Sequence, residues 1–368
     1  MHTVGITTST ADRKRRAGQR LIIGIQGTSL REDERRLIHE MRPGGFVLFK
    51  RNIEEPRQLR ELNRELASLL PDDIPPIRCV DQEGGRVQRF KAPATVWPPM
   101  RWVGNVGRPG FSRAIGAALA RECHAVGFDL DFAPDADVDS NPKNPIIGDR
   151  AFGRGSEDVA RHVAAFIEGM QGEGVIACAK HFPGHGDTAT DSHLELPTVE
   201  KDLPELEHVE IPPFKASIAA GVGTIMTAHV VYPAWDADVP ATMSPRILKT
   251  LLREKLGFDG VLISDDLEMK AVRGRYPLGQ QLEAASRATV DVFLVCSEIG
   301  LQVEAWEGLI RLQEEDKVQE DLAIYAVGRW HRMRRRFLLG RPEQPGLDVL
   351  GCQAHLDLAL RAQAEGMA

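Results

Sequence analysis

The sequence predicts a single (β/α)8 barrel, because eight short apolar runs alternate with amphipathic helical stretches over about 300 residues. The runs are almost continuously apolar or β-branched, which is typical of parallel strands that are buried on both faces. In addition, polar side chains suited to chemistry follow directly after five of the runs. In a barrel these positions lie together at the carboxyl ends of the strands, where active sites form. A doubly wound open sheet is the alternative fold.

The elements follow one another in a regular order. The predicted strands are residues 21–26, 46–49, 77–80, 130–132, 175–179, 224–227, 260–264 and 290–296. The predicted helices between them are residues 34–42, 57–70, 112–126, 156–170, 206–220, 245–256 and 278–289, and two more, 300–314 and 320–338, follow the last strand. No Gly-rich linker divides these elements, so residues 21–340 form one predicted catalytic barrel. Residues 1–20 are a polar extension that could be flexible, and residues 341–368 are a C-terminal, partly helical tail; neither has an assigned role.

The composition excludes several classes of protein. The 368 residues are 42% hydrophobic and carry a formal net charge of −7, which argues against nucleic acid as the main partner. The five Cys are scattered and none forms a CxxC pair, so they are expected to be reduced thiols in a reducing compartment. Residues 1–20 lack the apolar core of a secretion signal, and no segment resembles a transmembrane span. We therefore expect a cytoplasmic protein that binds neither nucleic acid nor membranes.

The most informative segment is residues 180–193, with the sequence Lys-His-Phe-Pro-Gly-His-Gly-Asp-Thr-Ala-Thr-Asp-Ser-His. It contains one Lys, three His and two Asp in fourteen positions. Two Gly and a Pro prevent the part beyond Phe182 from forming a regular helix or a central strand. Because the segment follows an apolar run, we predict a loop that delivers proton-transfer groups into a cleft. The alternative, a polar surface loop, rarely gathers so many titratable groups.

Two pairs of residues suggest the catalytic groups. In Asp191-Ser-His193 the carboxylate could fix the imidazole tautomer and raise its basicity, although this spacing alone would equally fit a surface His. Asp265 and Asp266 follow an apolar run, and a carboxylate at a strand mouth can attack an anomeric carbon, bind a cation or act as a base. Because Asp also commonly caps helices, we assign the chemistry to Asp265 and a structural role to Asp266.

A metal site is the main competing interpretation of the loop. Zinc could be held by a subset of its side chains, namely His181, His185, Asp187, Asp191 and His193. However, neither an HxH nor an HExxH pattern occurs, and the adjacent Lys180 would repel a cation. We therefore expect no metal and no organic cofactor, and a metal-dependent hydrolase stays open as the alternative of a different class.

A further group of charged residues is suited to gripping vicinal hydroxyl groups, because carboxylates and forked guanidinium groups supply orientation and remote binding energy. This group comprises Asp81, Arg89, Arg150, Lys180 and His181. Structural ion pairs at the barrel rim would explain the two Arg as well. The Asp residues between positions 129 and 139 are interpreted as supports for the end of a strand.

These motifs resemble glycoside hydrolase family 3. Lys180-His-Phe-Pro-Gly-His-Gly-Asp187, Asp191-Ser-His193 and Ile263-Ser-Asp-Asp-Leu267 are similar to strings of this family, and more narrowly of its single-domain bacterial β-N-acetylglucosaminidases of peptidoglycan recycling. The resemblance extends over residues 21–339. It implies that Asp265 is the nucleophile, that His193 is the acid/base and that Asp191 is the partner of His193. The sugar contacts that it implies are Asp81, Arg89, Arg150, Lys180 and His181.

The activity implied by the resemblance is that of a retaining exo-β-N-acetylglucosaminidase acting on muropeptide fragments of the GlcNAc-1,6-anhydro-MurNAc type. The implied mechanism is double displacement, in which Asp265 attacks C1 while His193 protonates the leaving oxygen. A family 3 β-glucosidase or glycoside phosphorylase would use the same nucleophile with another 2-substituent or acceptor, and stays open. A sugar-binding protein without activity would have no need for both Asp265 and His193. The oligomeric state is not predicted.

Overall fold

The computed structural model describes residues 9–70, 75–188 and 196–367. Its strands in chain order are β1 (Leu21–Gly24), β2 (Gly45–Val47), β3 (Ile77–Val80), β4 (Gln82–Gly84), β5 (Val87–Gln88), β6 (Leu130–Asp131), β7 (Ile176–Phe182), β8 (Thr224–Thr227), β9 (Val261–Asp266) and β10 (Val292–Val295). Strands β4 and β5 form a separate antiparallel hairpin. The other eight are parallel and close into a barrel with the neighbour order β1, β10, β9, β8, β7, β6, β3, β2. The predicted (β/α)8 barrel is confirmed.

The helices in chain order are α1 (Thr10–Gln19), α2 (Glu32–Met41), α3 (Pro56–Ser68), α4 (Met100–Asn105), α5 (Pro109–Ala125), α6 (Ser156–Gly172), α7 (Leu203–Val209), α8 (Ile211–Ala219), α9 (Lys270–Arg273), α10 (Leu278–Arg287), α11 (Ile299–Glu315), α12 (Lys317–Leu338) and α13 (Gln353–Gly366). A π-helix, Arg246–Lys255, replaces the α-helix predicted over residues 245–256. The single helix predicted over residues 206–220 is divided at Glu210, because Pro212 and Pro213 at the start of α8 cannot donate backbone hydrogen bonds to a preceding turn.

The hydrophobic core has two layers. The larger layer packs the outer faces of the strands against the helices, and α5 and α6 contribute much of it through residues such as Ile115, Val163 and Phe166. The smaller layer fills the inside of the barrel with strand residues such as Ile22, Cys178 and Ile263. It includes Trp330, Met333 and Phe337 of α12, which therefore covers the amino-terminal end of the barrel. The opposite end stays open for chemistry.

The segments at both ends of the chain pack on the barrel. Helix α1 lies within residues 1–20, which the sequence assigned to an extension that could be flexible; it starts with a capping box between Ser9 and Asp12 and packs on α11 and α12. Arg13 and Arg16 of α1 form ion pairs with the buried Glu320 of α12. At the other end, α13 packs on α4 and α5. The sequence shows no hydrophobic pattern for α1, because the buried residues of this basic helix are only Ala17, Gly18 and Gln19.

Strand β7 extends beyond its predicted end at residue 179. It continues to Phe182, so Lys180 and His181 stand on the strand rather than in the loop that follows it. The pairing of β7 with β8 shifts register between Ala179 and Phe182, and Lys180 instead forms a single bridge with Asp135 beyond β6. This irregularity at the barrel mouth lets two consecutive polar residues leave the regular alternation of inward and outward side chains.

All five Cys are free thiols, and four of them are buried. Among the described residues, no helix combines the length and apolar character that a bilayer crossing needs.

Candidate active site

The carboxyl ends of seven barrel strands and the β4–β5 hairpin surround one cavity of about 370 Å³. The predicted nucleophile Asp265 and all five predicted sugar contacts line it, namely Asp81, Arg89, Arg150, Lys180 and His181. Apolar side chains complete the wall, among them Val47, Phe49, Phe132, Met226 and Leu294. The structure therefore brings together, from separate strands and loops, the predicted nucleophile and the predicted sugar contacts, whereas Asp187 is not part of the cavity wall. Asp191 and His193 lie outside the described residues.

Lys180 and Asp81 form the centre of one charged wall. The Lys180 ammonium lies 2.9 Å from Asp81 Oδ1 and 2.6 Å from Glu83 Oε1, and Arg89 donates to Asp81 Oδ2 over 2.9 Å. Burial opposes ionisation of Asp81, but the charges of Lys180 and Arg89 outweigh it and lower the pKa of this carboxyl group. The wall thus presents a carboxylate between two cations, an arrangement that can accept from and donate to hydroxyl groups.

Glu83 is a site residue that the sequence analysis did not identify. Its carboxylate receives two 2.8 Å hydrogen bonds from the guanidinium of Arg150 and also faces Lys180. Burial would raise the pKa of Glu83, but Arg150 and Lys180 lower it well below its ordinary range. The Gly84-Gly85 turn after it, where φ is +106° and +55°, could have indicated that this polar run folds back as a hairpin.

The imidazole of His181 is oriented by Asp137. Asp137 Oδ2 lies 2.8 Å from His181 Nδ1, and Asp137 Oδ1 accepts the backbone N–H groups of His181 and His185 over 3.2 and 2.7 Å. Burial, together with the charge of Arg150, lowers the pKa of His181 to about 4, so the ring is neutral near pH 7. With Nδ1–H donated to Asp137, the Nε2 atom is left as an acceptor.

Possible metal ligands differ from the set considered from the sequence. Within the described part of the chain, Asp135, Asp137 and His181 form a group whose ligand atoms lie within 4.8 Å of one another. His185 is engaged elsewhere, since its Nδ1 lies 2.9 Å from Thr188 Oγ1. Arg150 Nε lies 3.3 Å from Asp135 Oδ2, so the positive charge of Arg150 already balances a carboxylate that a cation would bind.

Asp265 and Asp266 stand side by side at the end of β9 but have different surroundings. Asp265 lines the cavity, and its Oδ1 accepts the Asp266 backbone N–H over 2.8 Å. Asp266 Oδ1 accepts the Glu268 backbone N–H over 3.1 Å, which holds the turn after the strand. Burial, with a smaller contribution from neighbouring carboxylates, raises the pKa of Asp266 to about 7. Asp266 therefore has the structural role expected of it, but it holds the turn and caps no helix, because the N-cap of α9 is Met269.

Both described flanks of residues 189–195 are attached to the barrel. Before this segment, Asn144 donates to the carbonyl oxygens of His185 and Gly186 over 2.8 and 3.0 Å. After it, Lys201 donates to Ser140 Oγ and Glu210 Oε1 over 3.0 and 2.8 Å. No sequence motif identified Asn144 as a residue of the site, because its function is to satisfy backbone groups that only the fold brings near it.

Comparisons with known proteins agree with this geometry. Residues 14–329 match the model of the "Glycosyl hydrolase family 3 N terminal domain". A protein of Nitrosomonas eutropha named "Beta-hexosaminidase" is 40% identical over 327 residues, which are 86% of this chain and 93% of that protein. A family 3 β-N-acetylglucosaminidase from Paenibacillus sp. FPU-7 superposes with a TM-score of 0.92 at 36% identity, covering 96% of this chain and 68% of that one. NagZ from Neisseria gonorrhoeae, in complex with N-trifluoroacetyl-D-glucosamine, has a TM-score of 0.75 at 30% identity, with 94% and 98% coverage.

Proposed function

The chain belongs to glycosyl hydrolase family 3 and is a glycoside hydrolase of the β-N-acetylhexosaminidase type, and we propose that it is a retaining exo-β-N-acetylglucosaminidase of muropeptide fragments. The observation that carries this proposal is the single cavity in which Asp265 faces the charged wall of Asp81, Lys180 and Arg89. A nucleophile opposite a hydroxyl-binding wall is what hydrolysis of a terminal sugar requires.

The barrel order supports a specific orientation of the sugar. β3 and β9 are four positions apart in the closed ring of eight strands, so they face each other across the barrel. Asp265 ends β9, and Asp81 follows β3. Because C1 and C4 lie on opposite sides of a pyranose ring, a sugar with C1 at Asp265 directs its C4 hydroxyl towards Asp81. On that side Asp81, Lys180 and Arg89 offer acceptors and donors to a free hydroxyl group, which favours attack on terminal residues.

The proposed reaction has two steps. In the first, a carboxylate oxygen of Asp265 attacks C1, the bond from C1 to the aglycone oxygen breaks, and His193 gives that oxygen its proton. In the second, the neutral His193 takes a proton from water, the water oxygen attacks C1, and the ester to Asp265 breaks. The assignment of His193 and Asp191 rests on their match to the family motif. A His donor becomes neutral after giving up its proton and so adds no negative charge beside Asp265.

The substrate assignment has two sources. The N-trifluoroacetyl-D-glucosamine bound by the Neisseria protein carries an acylated amino group at C2, and this supports a 2-acetamido sugar here. The muropeptide aglycone rests on the resemblance to enzymes of peptidoglycan recycling. A cytoplasmic location would suit an enzyme that acts on imported wall fragments.

Hydrolysis of two chromogenic substrates tests the proposal. We expect kcat/KM for 4-nitrophenyl β-N-acetylglucosaminide to exceed that for the corresponding glucoside by at least about 100-fold, because a site built for a polar substituent rejects sugars that lack it. The released sugar should first appear as the β-anomer. Preference for the glucoside would indicate a β-glucosidase, and a requirement for phosphate would indicate a phosphorylase. GlcNAc-1,6-anhydro-MurNAc peptides then test the aglycone.

A further inference from the structure

His229 is a buried titratable residue that the mechanism above does not use. It follows β8, and only 1% of its surface is exposed. Its Nε2 lies 3.1 Å from the backbone carbonyl oxygen of Asp266, and its Nδ1 lies 2.8 Å from Thr242 Oγ1. The ring is thus fixed at both nitrogens between two loops at the mouth of the barrel, next to the proposed nucleophile.

The partners of His229 define its tautomer. A carbonyl oxygen can only accept, so Nε2 must carry the proton that faces Asp266. Burial lowers the pKa of His229, so the ring is neutral and Nδ1 carries no proton. Its neighbour Thr242 Oγ1 has one proton, which it can donate either to Nδ1 or to the carbonyl oxygen of Ala228, 3.0 Å away. Thr227 Oγ1 lies 2.8 Å from Thr242 Oγ1 and can donate to it in turn. These groups form a connected chain of hydrogen bonds in which the donation from Nε2–H to the Asp266 carbonyl is the fixed step.

The Asp266 backbone connects this chain to the nucleophile. The Asp266 carbonyl accepts a second hydrogen bond, from Met269 N over 3.1 Å, so both of its lone pairs are used. The N–H of the same residue donates to Asp265 Oδ1 over 2.8 Å. The carboxylate of Asp265 is therefore held at one oxygen by a residue that His229 and Met269 hold in place.

We propose that His229 is a positioning residue for Asp265: by donating Nε2–H to the Asp266 carbonyl, it fixes the backbone that orients the nucleophilic carboxylate. One oxygen of Asp265 is occupied by the Asp266 N–H, and the other is presented to C1. This inference rests on the proposed function, because it assumes that Asp265 attacks. Orientation of this kind matters because a misplacement of about 1 Å at a reacting atom can cost on the order of 100-fold in rate.

Two substitutions distinguish the effect of the His229 hydrogen-bond donor from the effect of the volume of its ring. His229→Leu removes the donor and fills the space, whereas His229→Gln keeps an amide N–H that can reach the Asp266 carbonyl. For the leucine variant we expect kcat to fall on the order of 100-fold with little change in KM, and for glutamine we expect at least about 10-fold of this loss to be recovered. The loss should be equal for aryl glycosides and for glycosides with poor leaving groups, because Asp265 attacks both.

A second measurement determines the tautomer of His229 in the wild-type enzyme. In protein labelled with ¹⁵N-histidine, the signals that disappear in His229→Gln should show protonation at Nε2 and a bare Nδ1. Thr242→Ser should leave kcat unchanged, and Thr242→Val should lower it; this pair tests the same chain if the leucine variant does not fold. Protonation at Nδ1, a wild-type kcat for His229→Leu, or equal losses for leucine and glutamine would overturn the inference.

Covalent labelling with a 5-fluoro N-acetylglucosaminyl fluoride distinguishes this inference from the proposed function. If a fluorosugar fails to label Asp265 in the wild-type enzyme, the proposed function is wrong. If the wild type is labelled and His229→Leu is labelled at the same rate, the proposed function stands and the positioning role of His229 is wrong.

Discussion

At the scale of single residues, the adjacent carboxyl groups Asp265 and Asp266 are distinguished by their surroundings rather than by their chemistry. Asp265→Asn should nearly abolish hydrolysis, because an amide cannot form the glycosyl ester. Asp266→Asn should cost only a few-fold in kcat, because an amide oxygen can still accept the Glu268 N–H. A loss for Asp266→Asn as large as that for Asp265→Asn would contradict this division.

The raised pKa of Asp266 also predicts a dependence of stability on pH. Its folded-state pKa is about 7 against an ordinary value of 3.8, so the unfolded chain loses its proton first. The contribution of Asp266 to the free energy of unfolding is therefore fully present below pH 3.8, and it is lost as the pH rises towards 7. Asp266→Asn lacks this titration, so its free energy of unfolding relative to wild type should increase between pH 4 and pH 7. Urea unfolding of both proteins at pH 5 and pH 8 measures the difference, and an unchanged difference would refute the pKa assignment.

The proposed acid His193 makes a different prediction from the nucleophile. His193→Ala should slow glycosides with poor leaving groups far more than activated aryl glycosides, because a nitrophenolate departs without protonation. Asp191→Asn should give a milder form of the same pattern. Steady-state kinetics on both substrate types provide the measurement, and equal losses for His193→Ala would exclude an acid role in the first step.

At the scale of secondary-structure elements, the strands were the most predictable part of the fold. Parallel strands buried on both faces are continuous apolar runs, and β3 and β8 have the predicted bounds. The β4–β5 hairpin was missed because Gln82 and Glu83 are polar, and their burial depends on partners distant in sequence such as Asp131 and Arg150. The π-helix was missed because hydropathy does not report which carbonyl a backbone N–H selects.

The attachment of the C-terminal tail gives a prediction at this scale. Glu122 of α5 is fully buried and accepts from His355 Nδ1 of α13 over 2.9 Å, from Gly351 N over 2.9 Å and from Thr95 Oγ1 over 2.7 Å. His355→Ala leaves this carboxylate short of one donor and should lower the free energy of unfolding by about 2 kcal/mol. Gln353→Ala on the exposed side of α13 is the control. Equal unfolding midpoints for the two variants in urea would show that the Glu122 contact does not hold the tail.

At the scale of the whole molecule, the site could be predicted as a set of residues but not as an arrangement. The sequence placed Asp81, Lys180 and Asp265 at strand ends, and the barrel brings these ends together. The sequence could not reveal that Glu83 joins Lys180 to Arg150, because this contact depends on the fold of the β4–β5 hairpin.

The charge distribution of the closed site predicts that activity needs no metal. Arg150 stands beside Asp135, a carboxylate that a cation would use, and the charges of Arg150 and Lys180 both act on His181, so they disfavour binding of a cation. Prolonged treatment with a chelator should leave hydrolysis of the aryl N-acetylglucosaminide intact. Loss of activity that zinc specifically restores would instead support a metal-dependent hydrolase.

The most direct test of the account is to trap the covalent intermediate on Asp265. A 5-fluoro N-acetylglucosaminyl fluoride should inactivate the enzyme, and a peptide carrying the added sugar mass should map to Asp265. Asp265→Ala should be nearly inactive, with azide restoring turnover to a glycosyl azide. The contradicting result is an enzyme that forms no adduct while an acetamide-derived thiazoline inhibits it tightly. In that case the substrate's own acetamido group attacks C1, and Asp265 only stabilises charge.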